Sequence, residues 1–164
     1  GAHRAAPRLR ASDRHHSALR AAELFDDPRA ADGAALRDAL RAHAAAGNPV
    51  WAECGGMMQL FDRITLKDGS SHPAWGLLAG SVAMQARFVG LGSQAWDTPQ
   101  GQLRGHAFHH SRTTSDLPVL AHTKHAKTAQ TGEAVYQAGS VRASYFHPWF
   151  ASKPQATAAL FCAV

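Results

Sequence analysis

The spacing of apolar residues near residue 36 is helical. Leu36 and Leu40 lie four residues apart and share one face with Ala39 and His43. Residues 47–49, Gly-Asn-Pro, end this pattern, because glycine favours the position after a helix and proline cannot continue one. The pattern predicts a helix that starts at Leu36 and ends before residue 47.

A short apolar run, a sharp turn and a second helical pattern follow. Residues 49–53, Pro-Val-Trp-Ala-Glu, have the composition of a buried strand, and residues 54–56, Cys-Gly-Gly, interrupt it. Apolar residues then recur at helical spacing: Met57, Met58, Leu60, Phe61 and Ile64. Helix, strand, tight turn and helix in this order are typical of an α/β fold with a parallel sheet.

The second half of the chain consists of short apolar runs separated by Gly, Pro, Ser or Asp, which is typical of strands. The predicted strands are 75–78, 82–89, 103–110, 134–136 and 141–146. The more polar stretches 93–101 and 111–132 are expected to be surface loops, and residues from Pro154 onward a terminal helix.

Length and composition favour one domain. The chain has 164 residues, of which 45% are hydrophobic and 18% charged, close to the average of globular proteins. No apolar run reaches the roughly 18 residues that a membrane-spanning helix needs. We expect residues 36–164 to form the domain, residues 1–35 to be an irregular lead-in rich in Arg and Ala, and no membrane to be bound.

The formal net charge of +5 is concentrated near the start of the chain. Residues 1–20 contain five arginines and one acidic residue, Asp13, and the remainder is nearly neutral. Such a basic segment can bind nucleic acid, but residues 1–24 have no aromatic side chains among the arginines. We therefore expect no nucleic-acid partner, and a binding assay would test this alternative.

The two cysteines, Cys54 and Cys162, are too few for a disulfide framework. The first residues also lack the apolar stretch of a secretory signal. These two features predict a reducing, cytoplasmic location.

Cys54 is the candidate nucleophile. A nucleophile on a sharp strand-to-helix turn is held exposed, and small neighbours let a substrate carbonyl approach. Gly55 and Gly56 supply this clearance, and backbone N–H groups at the start of the helix can stabilise an oxyanion. The alternative is a buried cysteine that packs as a small hydrophobic residue.

His147 is a candidate base for this cysteine. It ends the apolar run 143–146 and precedes Pro148, which restricts further strand pairing. Catalytic side chains gather at strand ends in α/β folds. The chain has eleven histidines, so a histidine at this strand end by coincidence is the alternative.

The histidines of residues 104–111 do not form a convergent metal site. On a strand, His106 and His110 share one face while His109 lies on the other. No G-x-x-x-x-G-K-[ST] motif is present either. The sequence therefore predicts no metal site and no ATP site in this chain.

Three segments together resemble a known family. Residues 51–58 (WAECGGMM), 104–111 (RGHAFHHS) and 143–152 (ASYFHPWFAS) look like the glutamine amidotransferase domain of the cobyrinic acid a,c-diamide synthases. The resemblance extends from about Leu36 to the end of the chain. It implies a class I glutamine amidotransferase-like, flavodoxin-like α/β fold with a mostly parallel sheet flanked by helices, although the family's N-terminal strands have no counterpart before Leu36.

The resemblance also implies a function. Cys54 would be the nucleophile, His147 its general base, and Gly55 and Gly56 the oxyanion and substrate-binding positions. Glutamine would be the substrate, and the ammonia would pass to an ATP- and Mg²⁺-dependent synthetase part that amidates the a and c carboxylates of a corrin precursor in cobalamin biosynthesis. That synthetase part would precede this chain, so the chain itself would hold no cofactor.

Two alternatives stay open at this point. The family's Gly-Gly-Tyr-Pro-Glu turn, which supplies part of the oxyanion hole, is absent before Leu36. The chain could therefore be a catalytically silent amidotransferase-like domain that docks on a separate synthetase subunit. Whether it is part of a longer synthase or a stand-alone subunit, and whether it forms a homodimer, are also left open.

Overall fold

The computed structural model describes residues 30–162, with side chains from residue 33 onward. These residues form three α-helices, one 3₁₀ turn and eleven strands, in this order: α1 (Ala30–Ala45), β1 (Val50–Glu53), α2 (Cys54–Leu60), β2 (Phe61–Thr65), β3 (Ser71–Pro73), β4 (Leu78–Met84), β5 (Gly90–Thr98), β6 (Gly101–His109), β7 (Ser111–Thr114), β8 (Val119–His125), β9 (Thr131–Ala138), β10 (Val141–Ser144), β11 (Phe146–Pro148), the 3₁₀ turn (Phe150–Ser152) and α3 (Pro154–Leu160).

The larger sheet has seven strands in the order β1-β10-β9-β8-β5-β6-β11. The α/β class with flanking helices is confirmed, but the expectation of mostly parallel strands is wrong for this sheet. Only β1 and β10 pair in parallel, and the other neighbours are antiparallel. Short connections explain the difference, because a tight turn such as that between β5 and β6 can join only antiparallel strands.

The two edge strands of this sheet come close together. β10 lies beside β1 at one end of the strand order, and β11 is the strand at the other end. A single residue, Tyr145, separates β10 from β11 in the chain. Since consecutive Cα atoms are about 3.8 Å apart, the sheet must curl until β11 approaches β1. We call the place where β1 and β11 approach each other the seam.

A second sheet of four strands, in the order β3-β2-β4-β7, packs beside the seam through α2. One buried cluster joins α2, β2, β4 and β10, and its fully buried side chains include Met57, Phe61, Ile64 and Val82. A second cluster lies between the curled sheet and α3: Trp96, Leu103, Val135, Phe146, Ala156 and Leu160. The first cluster includes Ala52 of β1 and the second includes Phe146 of β11, so both strands of the seam are packed against a core.

Several predicted elements are confirmed. α1 covers the helical pattern, and Gly47 follows it with φ 79°, a conformation that glycine adopts without steric cost. β1, β6 and α3 also lie where the sequence placed them. The helix begins at Ala30, before the predicted boundary at residue 36, while residues 1–29 of the expected lead-in lie outside the described residues.

Other predicted elements are wrong. The helix after Cys54 ends at Leu60, and residues 61–65 form β2, whose buried Phe61 and Ile64 mimic helical spacing. The expected loops 93–101 and 111–132 contain β5, β7 and β8, because polar residues on strands face solvent or bond to one another. The predicted strand 141–146 is divided at Tyr145.

Two further predicted runs shift along the chain. Two strands were predicted, at 75–78 and at 82–89, but the structure has one strand there, β4 (Leu78–Met84). None of the helices in residues 30–162 is long and apolar enough to cross a membrane.

Candidate active site

Cys54 lies at the sharp turn between β1 and α2, as the sequence predicts. Its φ of 45° is in the left-handed region, which a non-glycine residue adopts only at a steric cost. The helix begins at Cys54 itself rather than near Gly56. The thiol is half-buried, and its Sγ lies 3.9 Å from the carbonyl oxygen of Phe108 on β6.

Gly55 and Gly56 follow in the first turn of α2, and both are half-buried. The first N–H groups of a helix have no acceptor within that helix. Their assignment to an oxyanion site stays a prediction, because it depends on where a substrate oxygen lies.

His147 occupies the middle of β11, on the opposite side of the seam. β11 pairs only with β6 in the described part of the chain, with His147 opposite His106 and Pro148 opposite Gly105. A Cβ atom at Gly105 would collide with the His147 carbonyl group, so glycine is what allows β11 this close to β6. Pro148 is thus tolerated at the end of an edge strand.

The imidazole of His147 contacts groups from both sides of the seam. Its Nδ1 lies 3.0 Å from Oε2 of Glu53, the last residue of β1. Hydrogen bonding to Cys54, and then to Glu53, raises the pKa of His147 to about 9, against the opposing effect of burial. The structure therefore brings Cys54 and His147 together, although they are far apart in the sequence.

Glu53 is the site residue that the sequence reasoning missed. Its Oε1 accepts a hydrogen bond of 2.7 Å from the indole Nε1 of Trp51, two residues earlier. The Trp51 ring in turn stacks on Trp96 of β5, with centroids 5.9 Å apart. The signal was a carboxylate at the end of an apolar strand, immediately before the candidate nucleophile.

The other histidines of this region have different surroundings. His106 is exposed and its ring stacks on that of His147, with centroids 5.1 Å apart. His109 is buried, with Nδ1 2.9 Å from the Ser111 carbonyl and Nε2 3.2 Å from Glu133. The alternation along β6 is as predicted, and no group of three or more metal-ligating side chains converges within residues 30–162.

A thiol, a histidine and a carboxylate in this arrangement suit nucleophilic chemistry. A histidine beside a cysteine can take the thiol proton and return it to a leaving group. A carboxylate on the far nitrogen of the ring fixes its orientation. Cys54 is half-buried and the His147 side chain is 27% exposed, so neither group is fully enclosed.

The chain was compared with known protein families and curated proteins. A model of the CobB/CobQ-like glutamine amidotransferase domain matches residues 22–155. The chain is 43% identical over 125 residues to a cobyrinate a,c-diamide synthase of Herminiimonas arsenicoxydans. It is 45% identical over 125 residues to a hydrogenobyrinate a,c-diamide synthase of Stutzerimonas stutzeri, and 44% identical over 126 residues to one of Pseudomonas aeruginosa.

These matches cover most of this chain but only a small part of each relative. They cover 76–77% of this chain but only 28–29% of each relative. The chain therefore spans less than a third of the length of the curated relatives that it matches.

Proposed function

Because the chain belongs to the CobB/CobQ-like glutamine amidotransferase domain family, we propose that it hydrolyses glutamine to glutamate and ammonia at Cys54. The observation that carries this proposal is that Cys54 stands at the strand-to-helix turn with φ 45°, and that the residue before it, Glu53, has its Oε2 3.0 Å from His147 Nδ1 across the seam. A cysteine on a strand-to-helix turn, faced by a histidine from another strand, matches the requirements of amide hydrolysis.

The first half of the reaction is acylation. The Cys54 thiolate attacks the side-chain carbonyl carbon of glutamine, and the oxygen becomes an oxyanion that the Gly55 N–H would stabilise. His147, protonated at neutral pH because its pKa is raised to about 9, gives its proton to the leaving nitrogen. The C–N bond breaks, ammonia leaves, and a glutamyl thioester remains on Cys54.

The second half releases glutamate. The neutral His147 takes a proton from a water molecule, and the resulting hydroxide attacks the thioester carbon. The C–S bond breaks, Cys54 returns as a thiolate, and His147 keeps the proton for the next cycle. The chemistry balances with glutamine and water as the only reactants.

The names of the relatives suggest where the ammonia goes. They are a,c-diamide synthases of cobyrinate or hydrogenobyrinate. We infer that the ammonia serves amidation of the a and c carboxylates of a corrin precursor, on a synthetase part that supplies the ATP- and Mg²⁺-dependent step. The cytoplasmic location stays a prediction from the sequence.

Glutamine turnover by the purified chain tests the proposal. We expect ammonia release, and Cys54→Ser should abolish it, because a hydroxyl ionises far less readily than a thiol. His147→Ala should lower the rate by about 10²–10⁴-fold, the usual contribution of a general acid–base group. Cys162→Ser is the matched control, because Cys162 is exposed near the other end of the described residues.

Alkylation of Cys54 by iodoacetamide provides a second readout that needs no glutamine binding. In a Cys162→Ser background, His147→Ala should slow alkylation near neutral pH. No ammonia release together with an alkylation rate that ignores His147 would favour the catalytically silent domain.

A further inference from the structure

We propose that Glu53 is the positioning residue of this site, which holds the His147 ring as the Nδ1–H tautomer and leaves Nε2 for the proton exchanged with Cys54. This inference rests on the proposed function, because it assigns the residue that acts through the proposed base. It adds a carboxylate from the strand before the nucleophile to the Cys–His pair.

The Glu53 carboxylate binds two donors at once. Trp51 Nε1 lies 2.7 Å from Oε1, and His147 Nδ1 lies 3.0 Å from Oε2. An indole nitrogen can only donate, and an ionised carboxylate can only accept. The Nδ1 atom of His147 must therefore carry a proton to complete the arrangement.

The other ring nitrogen of His147, Nε2, is left without a proton in the neutral ring. With Nδ1 donating to Glu53, the neutral imidazole has its lone pair on Nε2. Cys54 follows Glu53 directly in the chain, and the thiol contributes to the raised pKa of the ring. Nε2 is thus free to accept the thiol proton, which is the tautomer that a general base requires.

Glu53 is itself held in place by the sheet and by Trp51. It ends β1, which pairs with β10 in register, Glu53 opposite Ser144. The Trp51 indole that bonds its Oε1 stacks on Trp96, a buried residue of β5. The carboxylate therefore lies on a strand end fixed by the sheet, with its side chain 29% exposed.

The other neighbours of His147 cannot replace this carboxylate. The ionisable groups that face the ring are Cys54 from α2, Glu53 from β1 and His106 from β6, among the residues that the structure describes. Trp149 stands two residues after the histidine, but it is exposed and packs under the Arg104 guanidinium at 5.2 Å. Glu53 is thus the one anionic acceptor of this set for Nδ1.

Glu53→Gln separates charge and tautomer control from size. An amide has an acceptor oxygen at only one of its two positions, so it cannot reproduce the bonds that Trp51 and His147 make to two different oxygens of Glu53. If the amide nitrogen faces the imidazole, the ring flips to the Nε2–H tautomer, which cannot accept the proton of Cys54. The substitution also removes the negative charge that helps to raise the pKa of His147.

The experiment compares Glu53→Gln with Glu133→Gln in a Cys162→Ser background. Glu133 is the matched control, because it forms the second His–Glu pair and contacts His109 rather than His147. Two quantities are measured: kcat and KM for glutamine, and the rate of Cys54 alkylation by iodoacetamide between pH 5 and 10. Melting temperatures report the stability of each variant.

We expect Glu53→Gln to lower kcat roughly 10- to 100-fold with little change in KM, as for carboxylates that orient a functional histidine. The limb of the alkylation profile that follows His147 should move to lower pH. Glu53→Asp should recover part of both losses, because it restores the charge. Glu133→Gln should lower the melting temperature without moving that limb.

Three outcomes are decisive. If Glu53→Gln lowers the melting temperature but leaves kcat and the alkylation profile as in the parent, the positioning role is wrong while the proposed function stands. If alkylation does not depend on His147, the proposed function itself is wrong. If Glu53→Gln does not fold, Glu53→Asp decides, and an unchanged kcat there would overturn the role.

Discussion

The molecule contains two His–Glu pairs, and they differ in almost everything except composition. The His147–Glu53 pair joins the two edge strands at the seam, with side chains 27% and 29% exposed. The His109–Glu133 pair joins β6 to β9 inside the curled sheet, with side chains 3% and 15% exposed. The His147–Glu53 pair lies beside the Cys54 thiol. In the other pair, the His109 ring stacks on the ring of Tyr145, with centroids 3.7 Å apart.

Electrostatics separate the pairs further. Hydrogen bonding to Cys54 and to Glu53 raises the pKa of His147 to about 9. In the buried pair, desolvation is the largest single influence and would raise the pKa of Glu133, but His109, Gln94 and His125 together outweigh it and the pKa is lowered. The two pairs have the same composition, but only the His147–Glu53 pair is both partly exposed and next to a cysteine in the chain.

The largest effect on stability should come from replacing His109, the histidine of the buried pair. His109→Leu removes the histidine partner of Glu133 and leaves its carboxylate with the 3.4 Å hydrogen bond from Gln94, which costs about 1–3 kcal/mol of unfolding free energy. At roughly 2–4 °C per kcal/mol for a chain of this size, thermal unfolding should show the loss. Cys54 alkylation in the folded variant should keep the parent pH profile.

His147→Leu should do the reverse, with slower alkylation and a smaller loss of stability. The comparison fails if both variants change alkylation to the same extent, since the buried pair would then communicate with the thiol.

The pH dependence of stability should distinguish the pairs next. The pKa of His147 is raised, so its contribution is complete below about pH 6.5 and is lost as the pH rises to about 9. The pKa of Glu133 is lowered, so its contribution is complete above its unfolded value and is lost as the pH falls through its native value.

Urea unfolding at a series of pH values measures the free energy of unfolding. This free energy should fall on an alkaline limb through His147 and on an acid limb through Glu133, with a slope of at most about 1.4 kcal/mol per pH unit for each group. His147→Leu should flatten the alkaline limb and Glu133→Gln the acid limb. An alkaline limb that persists in His147→Leu would assign it to another group.

The smallest effect is expected from His106→Ala. His106 contributes a ring stacked on His147, and a stacked pair of rings is worth about 0.5–1.5 kcal/mol. The loss should lie at the lower end of that range because His106 is exposed, and chemical denaturation would detect it. A fall in alkylation as large as that of His147→Ala would instead make His106 the base.

The sequence predicted the turn at Cys54 because two glycines, a preceding apolar run and a following apolar periodicity all act within a few residues. It did not predict how the second half pairs. Trp96, Gln94 and Thr123 are buried on strands whose polar neighbours hid the alternation. Short polar strands are specified by their partners, and those partners are distant in sequence.

The candidate site shows the same division. Cys54 was singled out by local pattern, and His147 by the end of an apolar run and by the family resemblance, although His147 lies in the middle of β11. Glu53 could not be assigned, because its role depends on β11 reaching the opposite edge of the sheet. The chain bends at Tyr145, between β10 and β11, and nothing in the run 141–146 indicates that the strand divides there.

The separation of the two edge strands along the chain has a consequence for synthesis and folding. Cys54 and Glu53 leave the ribosome long before Tyr145 and β11, and contacts between distant segments form late. A nascent chain therefore carries the thiol without the histidine that would activate it. Under the proposed function, full reactivity of the thiol would arrive only when β11 docks on β6.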